Sequence, residues 1–204
     1  MKHCLTCVAV PILMAVTSGG LAGTTYRVVP EKSSLRIEVG KGGAFGFVAG
    51  HTHEVEGSIQ GTVAADAGDL PRASIRLEIQ TARLRVTGKG EPPDDVPKVQ
   101  ERMLGDDVLA VARYPAITFR STSIAVAGRS ESEIELRVTG ELTIHGQTKS
   151  ITVPVRARLD ARSLTATGTF SVKQSDFGIK PISVGGVVNV KDALSIHFTV
   201  TAAS

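Results

Sequence analysis

Residues 151–159 read Ile-Thr-Val-Pro-Val-Arg-Ala-Arg-Leu. Ile151, Val153, Val155, Ala157 and Leu159 alternate with Thr152, Pro154, Arg156 and Arg158 over nine positions. A period of two puts the first set on one face of a β-strand and the second on the other. The same alternation recurs at Leu35/Ile37/Val39, Ile75/Leu77/Ile79, Ile134/Leu136/Val138 and Leu194/Ile196/Phe198/Val200. Further strands are predicted over 47–64, 116–127, 164–172 and 186–190. Turn chemistry separates them at Asp66-Ala67-Gly68-Asp69, Gly128-Arg129-Ser130, His145-Gly146-Gln147 and Asp160-Ala161-Arg162-Ser163.

One stretch breaks the pattern. Residues 88–95 (Gly-Lys-Gly-Glu-Pro-Pro-Asp-Asp) form a loop, and the spacing of Val99, Met103, Leu104 and Val108 after Pro97 predicts a helix to about Leu109. About eight long strands, each apolar on one face, with one short helical insertion, make an all-β chain. It closes as an antiparallel barrel or folds as a sandwich, and the strand lengths favour a tall barrel. A barrel of about eight strands encloses just enough space to be filled by side chains or to hold one ligand. Inward Val, Ile, Ala and Gly are small and favour room, so a cavity and a filled-barrel structural module both stay open.

The chain has 204 residues, 23 basic against 20 acidic. So even a balance gives no support for nucleic-acid binding through phosphate neutralisation. Aromatics are 4%, with no Trp, which disfavours base-stacking platforms. At 42% hydrophobic the chain is expected to fold. Residues 1–22 carry a basic start, an apolar run to Val16 and small residues ending at Ala22, the pattern of a cleaved signal peptide. Residues 23–204 are then one domain, periplasmic or secreted. Cys4 and Cys7 fall in the leader, so the mature domain is expected to have no disulfide and no thiolate chemistry.

The sharpest polar signal is His51-Thr52-His53 with Glu54 and Glu56. In a strand His51 and His53 share a face, where two imidazoles and a carboxylate suit zinc or copper. The competing reading places them at the barrel mouth, touching a ligand's head group, or on its outer wall. His145 belongs to a turn, and His197 alternates out of phase with Ile196 and Phe198, toward solvent. No Gly-x-Ser-x-Gly elbow is present, and the Gly-rich run at 40–50 lacks a phosphate-binding Lys-Ser/Thr. The chain is therefore read as no enzyme, with no catalytic residue and no cofactor. Phe45 and Phe47, flanking Gly46, either gate a tunnel or close one end of the core.

Three further segments carry a resemblance. Gly140-Glu-Leu-Thr-Ile-His-Gly-Gln-Thr-Lys149, Tyr114-Pro-Ala-Ile-Thr-Phe-Arg-Ser121 and Ser175-Asp-Phe-Gly-Ile179 resemble, in order and spacing, the hairpin, strand and turn motifs of the YceI-like family. The resemblance covers roughly residues 24–203. It implies an extended, lipocalin-like, eight-stranded barrel that holds a long-chain isoprenoid or fatty lipid in an apolar tunnel, as a carrier or sequestering protein. The residues expected to line such a tunnel are Phe45, Phe47, Ile117, Phe119, Leu142, Ile144, Phe170, Phe177, Ile196 and Phe198. The expected partners are that lipid and, transiently, a membrane, with the oligomeric state left open and a dimer compatible.

Overall fold

The alternating segments hydrogen-bond into one antiparallel sheet that curls round until its last strand meets its first. The structure, a computed structural model, describes residues 23–42, 52–89, 91–184 and 188–204. Phe45, Phe47, His51 and the leader lie outside the described residues. In chain order the elements are β1 (Thr24–Val28), β2 (Ser34–Gly42), β3 (Thr52–Gly57), β4 (Gln60–Ala65), β5 (Ser74–Gln80) and β6 (Arg85–Val86). After helix α1 (Val96–Leu104) come β7 (Ala116–Arg129), β8 (Ile134–Ile144), β9 (Gln147–Leu159), β10 (Ser163–Lys173), the short β11 (Ser183–Val184) and β12 (Val188–Ala203).

Three pairs of short strands act as single staves. β1 and β2 both lie along β12, at Arg27↔Ala203 and Leu35↔Phe198. β4 pairs with β1 while β3 pairs with β2, and β5 pairs with β4 while β6 pairs with β3. With β7, β8, β9, β10 and β12 this makes a closed barrel of eight staves, each beside its neighbours in sequence. β12 alone, at 16 residues, spans roughly 50 Å. The breaks are patched by side chains that keep the backbone satisfied. Ser33 accepts from the Thr201 N–H at 3.0 Å and donates to the Val29 carbonyl, across the Pro30–Lys32 turn. Buried Thr81 donates to the Tyr114 carbonyl at 2.8 Å, tying the β5–β6 break to the segment before β7.

The helix is shorter than its apolar spacing predicts. It ends at Leu104, where Gly105 leaves the helix with extended geometry (φ −70°, ψ 175°). Val108 and Leu109 reach the core from turns instead, ahead of Ala110 at φ 44°. The described part of the segment predicted at 186–190 and the one at 194–200 are one strand, β12, and the described part of the one predicted at 47–64, from Thr52 on, divides into β3 and β4. Val96, Val99, Met103 and Leu104 of α1 pack against the core.

Gln100 takes the place of a strand beside β6. Its Oε1 accepts from the Val86 N–H at 2.8 Å, and its Nε2 donates to the Leu84 carbonyl at 2.9 Å. Gln100→Leu leaves both backbone groups unpaired. The expected loss is about 1–3 kcal/mol in denaturant unfolding, with α1 more exposed to hydrogen exchange.

The end of the barrel away from α1 is plugged by Tyr26, Leu70, Leu164 and Ala202, all buried. The Tyr26 hydroxyl donates to the Asp160 carbonyl at 3.0 Å.

Candidate functional site

The inward faces surround an elongated cavity of about 250 Å³. Forty of the described residues line it, and among them Gln174 is the one polar side chain. An apolar cavity of roughly 150 Å³ already stays dry and admits benzene. This barrel is therefore not filled by its own side chains, and its interior suits a hydrocarbon better than water.

Two glycines help to keep the axis open. Gly140 and Gly168 occupy inward positions of β8 and β10. A Cβ built on Gly140 would lie 2.5 Å from both the Phe119 ring and the Arg120 carbonyl oxygen; at Gly168 it would lie 2.6 Å from the Phe198 ring. The two rings are thus laid over the bare backbone of neighbouring strands, against the wall. Phe170 meets Phe198 edge-on, with centroids 6.3 Å apart.

Ile117, Phe119, Leu142, Ile144, Phe170, Phe177, Ile196 and Phe198 all line this cavity. Period-two phase brings them together from β7, β8, β10, β12 and the turn after β10. Phe177, 1% exposed, sits in the Gln174–Phe177 3-10 turn, which Gly178 ends at φ 73°.

The remaining polar residues lie around the cavity. His53 lies on the same face of β3 as the lining residue Val55, opposite Val39. It pairs through Nδ1 with Oε1 of Glu91, a carboxylate only 3% exposed. Glu54, on the other face, is held by Arg36 at 3.7 Å and Lys89 at 3.5 Å. Among the described residues no group of three His, Cys, Asp or Glu is placed to hold a metal ion. His145 (φ 49°) and Gly146 (φ 72°) make the two-residue β8–β9 turn, with the imidazole edge-on to Tyr114 at 4.5 Å. His197 lies on the outer wall, 3.1 Å from the Thr169 hydroxyl and 3.7 Å from Glu38.

Gln174 gave no motif of its own, yet it continues the inward phase of Phe170 and Val172 on β10. A polar residue in phase with a lining strand is the signal that could have found it. Its turn is fastened by Asp192, in the bulge of β12. The Asp192 carboxylate accepts from the Ser175 hydroxyl at 2.6 Å and the Ser175 N–H at 2.8 Å. These bonds, the hydroxyl first, hold its pKa below the usual carboxylate value. The fastening is present at neutral pH and is lost as pH falls through that lowered pKa.

A profile of the YceI-like domain matches residues 26–202, nearly the whole described barrel. The chain belongs to the YceI-like family. A UPF0312 protein of Pseudomonas savastanoi is 30% identical over 126 residues, 59% of each chain, so the match spans under two thirds of that relative. Burkholderia cenocepacia BcnA superposes with a TM-score of 0.66 at 24% identity, over 86% of this chain and 99% of its own. A polyisoprenoid-binding domain from Saccharophagus degradans, implicated in plant cell wall breakdown, gives 0.65 at 15% identity, over 88% and 98%. At these identities the two structures share the YceI-like, lipocalin-like barrel with this chain.

Proposed function

We propose that this barrel binds one long apolar lipid chain, isoprenoid or fatty acyl, without catalysis, and carries or sequesters it after export directed by residues 1–22. The observation that carries the reading is the cavity: about 250 Å³ with a single polar side chain among the described residues of its lining. The barrel it shares with a polyisoprenoid-binding domain supports the same reading.

The magnitudes favour a long chain. Association costs on the order of 4–15 kcal/mol. Each buried methylene contributes about 0.8 kcal/mol, so a chain of fewer than about a dozen carbons stays weakly bound. Ile117, Phe119, Leu142, Ile144, Phe170, Phe177, Ile196 and Phe198 supply the contact, and dispersion over so many atoms makes motif-like polar contacts unnecessary. A metal role for His53 is not favoured, because its Nδ1 is engaged by Glu91. Nothing in the described site brings a nucleophile, a base and an orienting group together.

Phe119→Trp tests the reading. In a filled core the added bulk costs about 1–3 kcal/mol. In this cavity it should cost little stability while narrowing the bore. Thermal melts of the delipidated proteins should nearly coincide. Titration with isoprenoids of two lengths should show the longer one losing more affinity than the shorter. A strongly destabilised variant with unchanged length preference contradicts the proposal.

A further inference from the structure

Resting on the lipid reading, we propose that Gln174 is the head-group contact of the cavity. It selects lipids whose polar end donates a hydrogen bond: an alcohol, a phenol or a protonated acid.

Gln174 is 8% exposed and lines the cavity among apolar side chains. Its side-chain amide is not free to turn. Nε2 donates to the Lys191 carbonyl at 3.0 Å, which fixes the amide's orientation. The backbone is held as well. The Gln174 carbonyl accepts from the Gly178 and Ile179 N–H groups. Among the described residues nothing donates to Oε1. An amide oxygen carries two lone pairs and accepts only. Left in an apolar space, such an oxygen is costly until a donor reaches it.

A lipid ending in O–H supplies that donor. A lipid ending in a ketone, quinone, aldehyde or ether offers only further lone pairs. To serve one of these, the amide would have to swing its NH₂ inward and release the Lys191 carbonyl. The site therefore discriminates by hydrogen-bond polarity at one end of an otherwise unselective hydrocarbon sleeve, an asymmetry that polar pairing creates and apolar fit cannot.

The test is calorimetric titration of the delipidated protein with all-trans-geranylgeraniol, its methyl ether and geranylgeranial, which share one chain. The wild type should bind the alcohol about tenfold more tightly than the ether or the aldehyde. Gln174→Leu should bind all three within about twofold, chiefly by losing affinity for the alcohol. Equal binding of alcohol and ether by the wild type overturns the inference while leaving the lipid reading intact. A full alcohol preference retained in Gln174→Leu overturns it too. If that variant does not fold, the wild-type comparison of the three ligands decides alone. If none of the three binds and no long-chain fatty acid binds either, the lipid reading itself fails.

Discussion

Leu142→Asp should abolish lipid binding and destabilise the barrel in a pH-dependent way. Leu142 is 5% exposed near the C-terminal end of β8 and lines the cavity. Truncating such a side chain alone costs about 2–5 kcal/mol. A carboxylate there has no donor within the apolar lining, so its ionised form is disfavoured in the folded state and its pKa is raised. The folded protein then holds a proton that the unfolded chain releases above about pH 3.9. Stability therefore falls as pH rises above that value, by about 1.4 kcal/mol per pH unit, until the raised folded-state pKa is passed. Against a total of about 5–15 kcal/mol, this is enough to unfold the variant at neutral pH. Melts between pH 4 and 7 check the slope. A variant that melts like the wild type at pH 7 would mean that position 142 reaches water.

Gly61→Ala should cost about 3 kcal/mol or more, the sum of backbone strain and collision. Gly61 sits in β4 at φ 144°, a conformation essentially restricted to glycine. A Cβ there would lie 2.0 Å from the Arg76 carbonyl oxygen on the paired strand β5, so the ladder itself would have to part. Gly68 is the internal comparison. In its turn a Cβ would meet nothing closer than the Asp66 Oδ1 at 3.4 Å. Gly68→Ala should be neutral, or stabilising by up to about 1 kcal/mol through the unfolded chain. Urea unfolding of both variants measures the contrast, and equal midpoints would refute it.

The barrel was legible because a wall with one apolar face writes period two into every stave. Residues 151–159 alone carry five inward positions in phase. The interruptions were not legible. Pro30–Lys32, Ser58-Ile59 and Thr81–Arg83 break three staves in hydrogen bonding, and the apolar positions continue on the far side. The apolar spacing runs past the end of α1 for a related reason: Val108 and Leu109 are apolar because they line the cavity, whatever backbone brings them there. Of the site, the apolar lining followed from phase and motif together. The polar residues did not. Glu91 meets His53 across 38 positions, and Gln100 meets β6 across 14, with no spacing that announces either. Gln174 was hidden beside a motif whose quoted residues begin at Ser175.

The occupancy of the cavity is the central claim, and native mass spectrometry of the protein purified from its own host, followed by solvent extraction, tests it most directly. The account predicts one lipid with a long apolar chain per protein chain, released by the solvent, and rebound by the delipidated wild type but not by Leu142→Asp. A protein that carries no lipid as purified, and takes up neither isoprenoid nor fatty acid in titration, would contradict it.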